Sequence, residues 1–390
     1  MHVPDTRSLD HWLEVLTSSA ATDLHLAAGS TPRMRIDGEL IPVPDAERLT
    51  VENLDDVIAL LLDHTEHEEF QRDRQIDLAF SWGDNHRFRV NAFHQMGRAA
   101  MAIRVIPTHV PSPQEIGLPE SVEDLVRLPH GLVLVTGPTG SGKTTTLATM
   151  VDWINNNRDL HILTIEDPVE FVHESKKALV NQREVGEDAP TFAEAMRAAL
   201  REDPDVVLVG EMRDLETISL ALTLAETGHL VFGTLHTNDS AQTVDRIIDV
   251  FPPEQQSQIR TQFSLTLSAV ISQRLVKRIG GGRVAAYEVL MGTPGVQALI
   301  REQKVRQIRN AIATGSQHGM VLLEQTLGNL VATGTIAMEE AIQASVHPEE
   351  IAGLHTGASS NGRTFSGDDD GAPAPEAPTR KKSGAGRLRR

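Results

Sequence analysis

Nine consecutive residues, Gly137-Pro138-Thr139-Gly140-Ser141-Gly142-Lys143-Thr144-Thr145, set three glycines around a lysine and several hydroxyls. An apolar run, Leu132 to Val135, precedes them, and a helical pattern from Lys143 to about Asn155 follows. Strand, glycine loop and helix N-terminus is the setting in which G-x-x-x-x-G-K-[ST] binds phosphate. The glycines let backbone N–H groups turn inward toward anionic oxygens, and the helix adds the partial positive charge of its N-terminus. Lys143 is placed to reach the β- and γ-phosphates, and the Thr144 hydroxyl is placed to ligate Mg²⁺. A chain with this loop is expected to bind a nucleoside triphosphate.

Two acidic stretches follow apolar strands. His161–Ile165 runs into Glu166-Asp167-Pro168-Val169-Glu170, three carboxylates in five residues. Such crowding is costly unless the acids face a metal, a water or a cation. Glu166 is the candidate to polarise an attacking water; the plainer alternative is helix capping and solvated charge. Val206–Val209 runs into Gly210-Glu211, the Walker B pattern with Glu where Asp is common. The longer side chain suits Mg²⁺ directly or through a water, or the role of base, so Glu166 and Glu211 are interchangeable at this point.

His229 and His236 bracket the strand Leu230–Thr234. A neutral imidazole there can sense a γ-phosphate or relay across a subunit contact, and a pair of structural histidines is the rival reading. Neither has a partner at zinc-ligand spacing. Phosphoryl transfer also needs positive charge opposite the γ-phosphate. Arg197, Arg201 and Arg213 on one side and Arg87, Arg89, Arg98 and Arg104 on the other are candidates that composition cannot rank.

The elements that must position these residues fall into two blocks. Residues 8–19 read as an amphipathic helix with Leu9, Trp12, Leu13 and Leu16 on one face. Asp23–Leu26 alternates like a strand, 33–43 reads as a hairpin turning at Asp37-Gly38, and 51–62 as a second helix. Three strands follow, Ile76–Trp82, Arg87–Phe93 and Ala99–Ile106, giving an α+β domain over 1–106. Residues 107–119 hold four prolines and read as a hinge linker. From 120 to 355 apolar strands alternate with helices, which predicts a parallel sheet covered on both faces with ligands at its carboxyl ends. A helix opens at Thr191 with Glu194 three residues on. A long helical pattern covers 254–275, Arg283–Leu290 reads as a further strand, and several helices close the block. Residues 356–390 are polar, rich in Gly, Ser, Pro and charge, and read as a solvated disordered tail.

With 390 residues, two or three domains are expected. Zero cysteines exclude disulfides and thiolate metal sites and fit a cytosolic address. No apolar run is long enough for a membrane span or a leader peptide. The net charge of -18, with one Tyr and three Trp, argues against stable nucleic-acid binding.

Together the motifs resemble the secretion ATPase superfamily, and most closely the PilT-type retraction ATPases of type IV pili. The signatures are GLVLVTGPTGSGKTTT (131–146), TIEDPVEF (164–171), DPDVVLVGEMRDLETI (203–218) and TGHLVFGTLHTNDS (227–240), similar to that family's Walker A, Asp box, Walker B and His box. Arg87 to Asn91 and Ile103 to Pro107 resemble its N-terminal domain. The resemblance implies a RecA-like P-loop ATPase domain with a smaller PAS-like α+β domain, ATP and Mg²⁺ as cofactors, and Arg89 and Arg104 reaching toward nucleotide when the domains close. It implies a cytoplasmic homohexamer, peripheral at the inner face of the membrane, that turns an inner-membrane platform protein to retract the pilus. An assembly or secretion ATPase powering another filament is the alternative within the superfamily. It lacks support in the short N-terminus and the missing four-cysteine module.

Overall fold

A computed structural model describes residues 6–351, apart from residues 20, 37–38, 84–85 and 107–108. Both the Asp37-Gly38 turn and the tail from 356 lie outside the described residues.

The first helix, Thr6–Ser18, buries Leu9, Trp12, Leu13 and Leu16, the face expected from their spacing. It packs on an antiparallel sheet of β1 (Ala21–Ala27), β2 (Arg33–Ile36), β3 (Glu39–Pro42), β4 (Gln75–Trp82), β5 (His86–Gln95) and β6 (Arg98–Ile106). The strand order is β3-β2-β1-β6-β5-β4. Alternation sets the buried face, with Phe88, Val90 and Ala92 of β5 turned into the core. Helices Val51–Leu61 and His64–Asp73 complete this layer. The second is absent from the sequence reading because it is polar and buries only Phe70. Its start was nonetheless written in a capping box, with Asp63 accepting from Glu66 N–H and Glu66 from Asp63 N–H.

The second sheet holds β7 (Gly131–Thr136), β8 (His161–Glu166), β9 (Leu179–Glu184), β10 (Val206–Val209), β11 (Leu230–Leu235), β12 (Leu267–Lys277) and β13 (Arg283–Met291). Its order is β13-β12-β7-β11-β10-β8-β9. All pairings are parallel except β12 with β13. Every residue of β7, β10 and β11 is buried, as a sheet covered on both faces requires. Helices Lys143–Asn157, Phe192–Ala199, Leu215–Glu226, Ser240–Asp249 and Pro253–Thr266 cover it.

One expectation is corrected here. The helix read across 254–275 stops at Thr266, and Leu267 begins β12. A continuous apolar run has no period of its own, and Val270 and Ile271 are β-branched residues that fit a buried strand. β9 is also absent from the sequence reading, because its sequence LVNQRE is polar and it lies at the sheet edge.

The proline-rich segment is fastened to the second sheet. Thr149 Oγ1 donates to Pro111 O at 2.9 Å, and the buried Tyr287 donates its hydroxyl to Ile116 O at 3.0 Å.

Candidate active site

The strand register brings four chain segments to one edge. Thr136 of β7 lies opposite Leu235, and Val209 opposite both Gly233 and Ile165. Across the order β7-β11-β10-β8 the sheet therefore presents, in turn, the glycine loop, His236, Glu211 and Glu166. They line a cavity of about 580 Å³. That is ample for a small ligand.

The loop is built against β12. Gly142 caps the helix Lys143–Asn157 with φ of 88°, in the left-handed region. A Cβ at Gly137 would lie 2.4 Å from Gln273 O, so no larger residue fits there. Gln273 is itself buried and donates Nε2 to Ser141 O at 2.6 Å. Lys143 folds over the loop, with Nζ donating to Gly137 O at 3.0 Å and Pro138 O at 3.3 Å. Burial lowers its pKa, while Glu211 and Glu170 work in the opposite sense. Thr139, Gly140, Thr144 and Thr145 line the same cavity.

His236 bridges two of the expected residues. Its Nδ1 is 3.5 Å from Lys143 Nζ and its Nε2 is 3.0 Å from Glu211 Oε1. An ammonium can only donate, so Nδ1 accepts and Nε2 carries the proton that faces the carboxylate.

The two glutamates sit in opposite environments. Glu166 is buried and no salt bridge is made to it among the described residues. Thr164 Oγ1 donates to its Oε1 at 2.7 Å and Gln182 Nε2 at 3.2 Å. Burial nevertheless raises its pKa above the usual glutamate range. Glu211 is pressed upward by burial too, but Arg213 and His236 outweigh this and hold its pKa low. Arg213 Nη2 donates to Glu211 Oε2 at 2.6 Å.

Other expected residues divide by position. Arg104 of β6 lines the cavity from the first sheet, its Nε donating to Asp23 Oδ1 at 2.8 Å. Arg89 does not line it and lies 3.9 Å from Asp77. His229 stands before β11, at the opposite end of the strand, with Nδ1 2.9 Å from Leu224 O. The structure therefore does not bring His229 or Arg89 to the cavity of this chain.

Several wall residues escaped the sequence reading, Arg283, Phe192 and His173 among them. Arg283 begins β13 and Phe192 follows the helix cap Thr191, element starts that were legible without any sign of a ligand-facing role. His173 lies on the loop after β8, where burial pushes its pKa down to about 4, so it is neutral near pH 7.

Thr144 and Glu211 both line the cavity and can supply a hydroxyl and a carboxylate oxygen. Among the described residues no group of three or more His, Cys, Asp or Glu is placed to hold a metal ion by itself. One hydroxyl and one carboxylate suit Mg²⁺, which keeps waters and shares substrate phosphates rather than filling a protein cage.

A Pseudomonas aeruginosa protein named type IV pilus retractation ATPase PilT is 52% identical over 343 residues, covering 87% of this chain and 99% of that protein. A Neisseria gonorrhoeae twitching motility protein is 48% identical over 324 residues, covering 82% of this chain and 86% of that one. Among solved structures, the pilus retraction motor PilT with bound ADP is similar with a TM-score of 0.82 at 45% identity, covering 90% of this chain and 99% of that one. The family described as type II/IV secretion system protein matches residues 2–343, and with half the residues shared with a nearly full-length relative the chain belongs to that family.

Proposed function

We propose that this chain is an ATPase, a motor subunit that hydrolyses ATP to drive type IV pilus retraction. The observation that carries the chemical assignment is the contrast between Glu166 and Glu211. Paired carboxylates whose environments push their pKa values apart divide acid–base from electrostatic work. Glu166, buried with a raised pKa, is the general base. Glu211, held ionised by its cationic neighbours, belongs with the Thr144 hydroxyl in the shell of Mg²⁺. Mg²⁺ supplies charge neutralisation on the phosphates when bound.

In hydrolysis the water oxygen bonds to the γ-phosphorus as the bond to the ADP oxygen breaks. Glu166 takes the proton that the water loses. The glycine-loop N–H groups and Lys143, released from Gly137 O and Pro138 O, bind the phosphates. Arg104, Arg213 and Arg283 are the cavity arginines available for the charge that spreads over the γ-phosphoryl oxygens. His236, touching both Lys143 and Glu211, reports whether a γ-phosphate lies between them.

The similarity to named retraction proteins supports assembly as a homohexamer acting on an inner-membrane platform protein, with peripheral attachment at the inner face of the membrane. The division into 1–106, a hinge at 107–119, an ATPase domain to 355 and a tail belongs to the same proposal. No helix among the described residues is long and apolar enough to cross a membrane.

Deleting the gene tests the assignment. Surface pili that persist without retracting support it, and a surface without pili assigns the chain to assembly instead. Particle mass with an ATP analogue and Mg²⁺, measured beside turnover, tests the ring; a monomer under those conditions overturns it.

A further inference from the structure

Gln182 lies on the edge strand β9, and all three polar contacts of its side chain lead to the site. Its Nε2 donates to Glu166 Oε1 at 3.2 Å and to Phe171 O at 2.8 Å, and its Oε1 accepts from His173 N–H at 2.7 Å. The backbone N–H of His173 can only donate, so the amide has one orientation available, and its NH₂ must face the glutamate.

The register adds a second observation. Gln182 pairs across the strands with Thr164, whose hydroxyl donates to the same Glu166 oxygen. A cross-strand pair thus delivers two donors to one carboxylate oxygen. The backbone ladder from His161↔Leu179 to Glu166↔Glu184 already attaches β9 to β8. An apolar side chain would fill this place without desolvating an amide.

We propose that Gln182 is a positioning residue for hydrolysis: it fixes the Glu166 carboxylate in one rotamer and ties it to the loop 171–173, so that the carboxylate meets the attacking water in a single orientation. This rests on the reading of Glu166 as the base. The two donors favour the ionised carboxylate, against the burial that opposes it. Charged and titratable groups around the same cavity are Asp167 and Glu170 on the loop of Glu166, His173 further along it, Lys143 on the glycine-loop helix, Glu211, Arg213 and Asp214 after β10, His236 after β11, Arg283 at the start of β13, and Arg104 from β6. Variants at Gln182 leave all of them in place.

The test compares Gln182→Met, Gln182→Glu, Glu166→Gln and the Gln182→Met/Glu166→Gln double variant in the full chain. It reads ATP turnover against pH, KM and thermal midpoint. Gln182→Met is expected to lower kcat by up to about 10²-fold, the scale of a misplaced reacting group, with KM within about twofold. Its acidic limb should move to higher pH, because a donor to the ionised form is gone. Gln182→Glu keeps the size and the acceptor for His173 N–H but faces Glu166 with a second carboxyl. It should move the limb further than Gln182→Met, whereas a purely structural role makes it the milder change. In the Glu166→Gln background Gln182→Met should cost little more. Wild-type turnover and an unmoved limb in Gln182→Met, or an equal loss in both backgrounds, overturn the proposal while Glu166 stands. Near-normal turnover in Glu166→Gln instead removes the base itself, and the proposal with it. If Gln182→Met melts well below the wild type, Gln182→Glu decides alone.

Discussion

Arg87 Nη2 lies 3.2 Å from Glu184 Oε2, and this ion pair joins the two sheets. Glu184 ends β9, is mostly buried, and also accepts from Val169 N–H at 3.1 Å. Side chains alternate along a strand, so Glu184 and Gln182 share a face. The first sheet thus holds the strand that holds Glu166. Replacing Arg87 with Met should change global stability by less than about 1 kcal/mol, as for most partly exposed pairs. It should speed hydrogen exchange at the Val169 amide. Unaltered exchange there would show that the pair does not restrain the loop.

Lys143→Ala removes the only ammonium in the glycine loop. The expected result is a loss of turnover of about 10²-fold or more, the scale of removing one group that faces developing charge. Nucleotide affinity should fall with it. Turnover near that of the wild type in a steady-state phosphate-release assay would disprove the phosphate-site assignment.

Glu166 must be ionised to accept a proton. Burial raises its pKa, so activity is lost as pH falls through a value higher than an ordinary glutamate near 4.5 would give. Glu211 has a lowered pKa and stays charged across that window. Glu166→Gln should therefore abolish the acidic limb and slow cleavage by about 10²–10⁴-fold, with ATP still bound. Glu211→Gln should keep the limb and raise the Mg²⁺ concentration needed for half-maximal turnover. A limb that vanishes in Glu211→Gln rather than in Glu166→Gln would exchange the two roles.

Stability has its own acid dependence. Glu324, in the helix Leu323–Ala332, is buried and accepts from both Arg309 Nη1 and Nη2 at 3.1 Å, from Ser345 Oγ and from His347 N–H. Burial acts to raise its pKa, and its own backbone N–H, Ser345 and Arg309 more than reverse it. The folded value lies below the unfolded one, so this stabilisation is present above about pH 4.5 and fades as pH drops through the folded value. Glu324→Ala should cost about 2 kcal/mol. That is less than for a fully buried pair, because Arg309 keeps Glu350 at 2.7 Å. Denaturant melts at pH 7 and pH 4 check both the loss and its narrowing toward acid.

The legible parts of the molecule are those in which one local rule decides the outcome. The glycine loop was readable because strand, spacing and helix start coincide around Lys143, and β7, β10 and β11 because buried parallel strands are uninterrupted apolar runs. β9 was not readable, since LVNQRE lies at an edge and spends its polar side chains on Glu166 and Val169 rather than on water. Its role exists only once the chain has folded. The same limit applies to Arg104 and Arg89. They sit on adjacent strands, opposite each other in register, yet only Arg104 lines the cavity. His229 and His236 look equivalent in sequence, but a strand has two ends and the chemistry occupies one of them.

The fastening of Pro111 and Ile116 has a mechanical consequence. With both carbonyls held, the stretch from Pro111 to Ile116 is a crank arm rather than a leash. One of its two anchors, Thr149, rides on the same helix that begins at Lys143, less than two turns from the phosphate loop. A displacement of that helix therefore carries Pro111 with it. Movement at the phosphate loop is thus coupled to Pro111 through a single hydrogen bond.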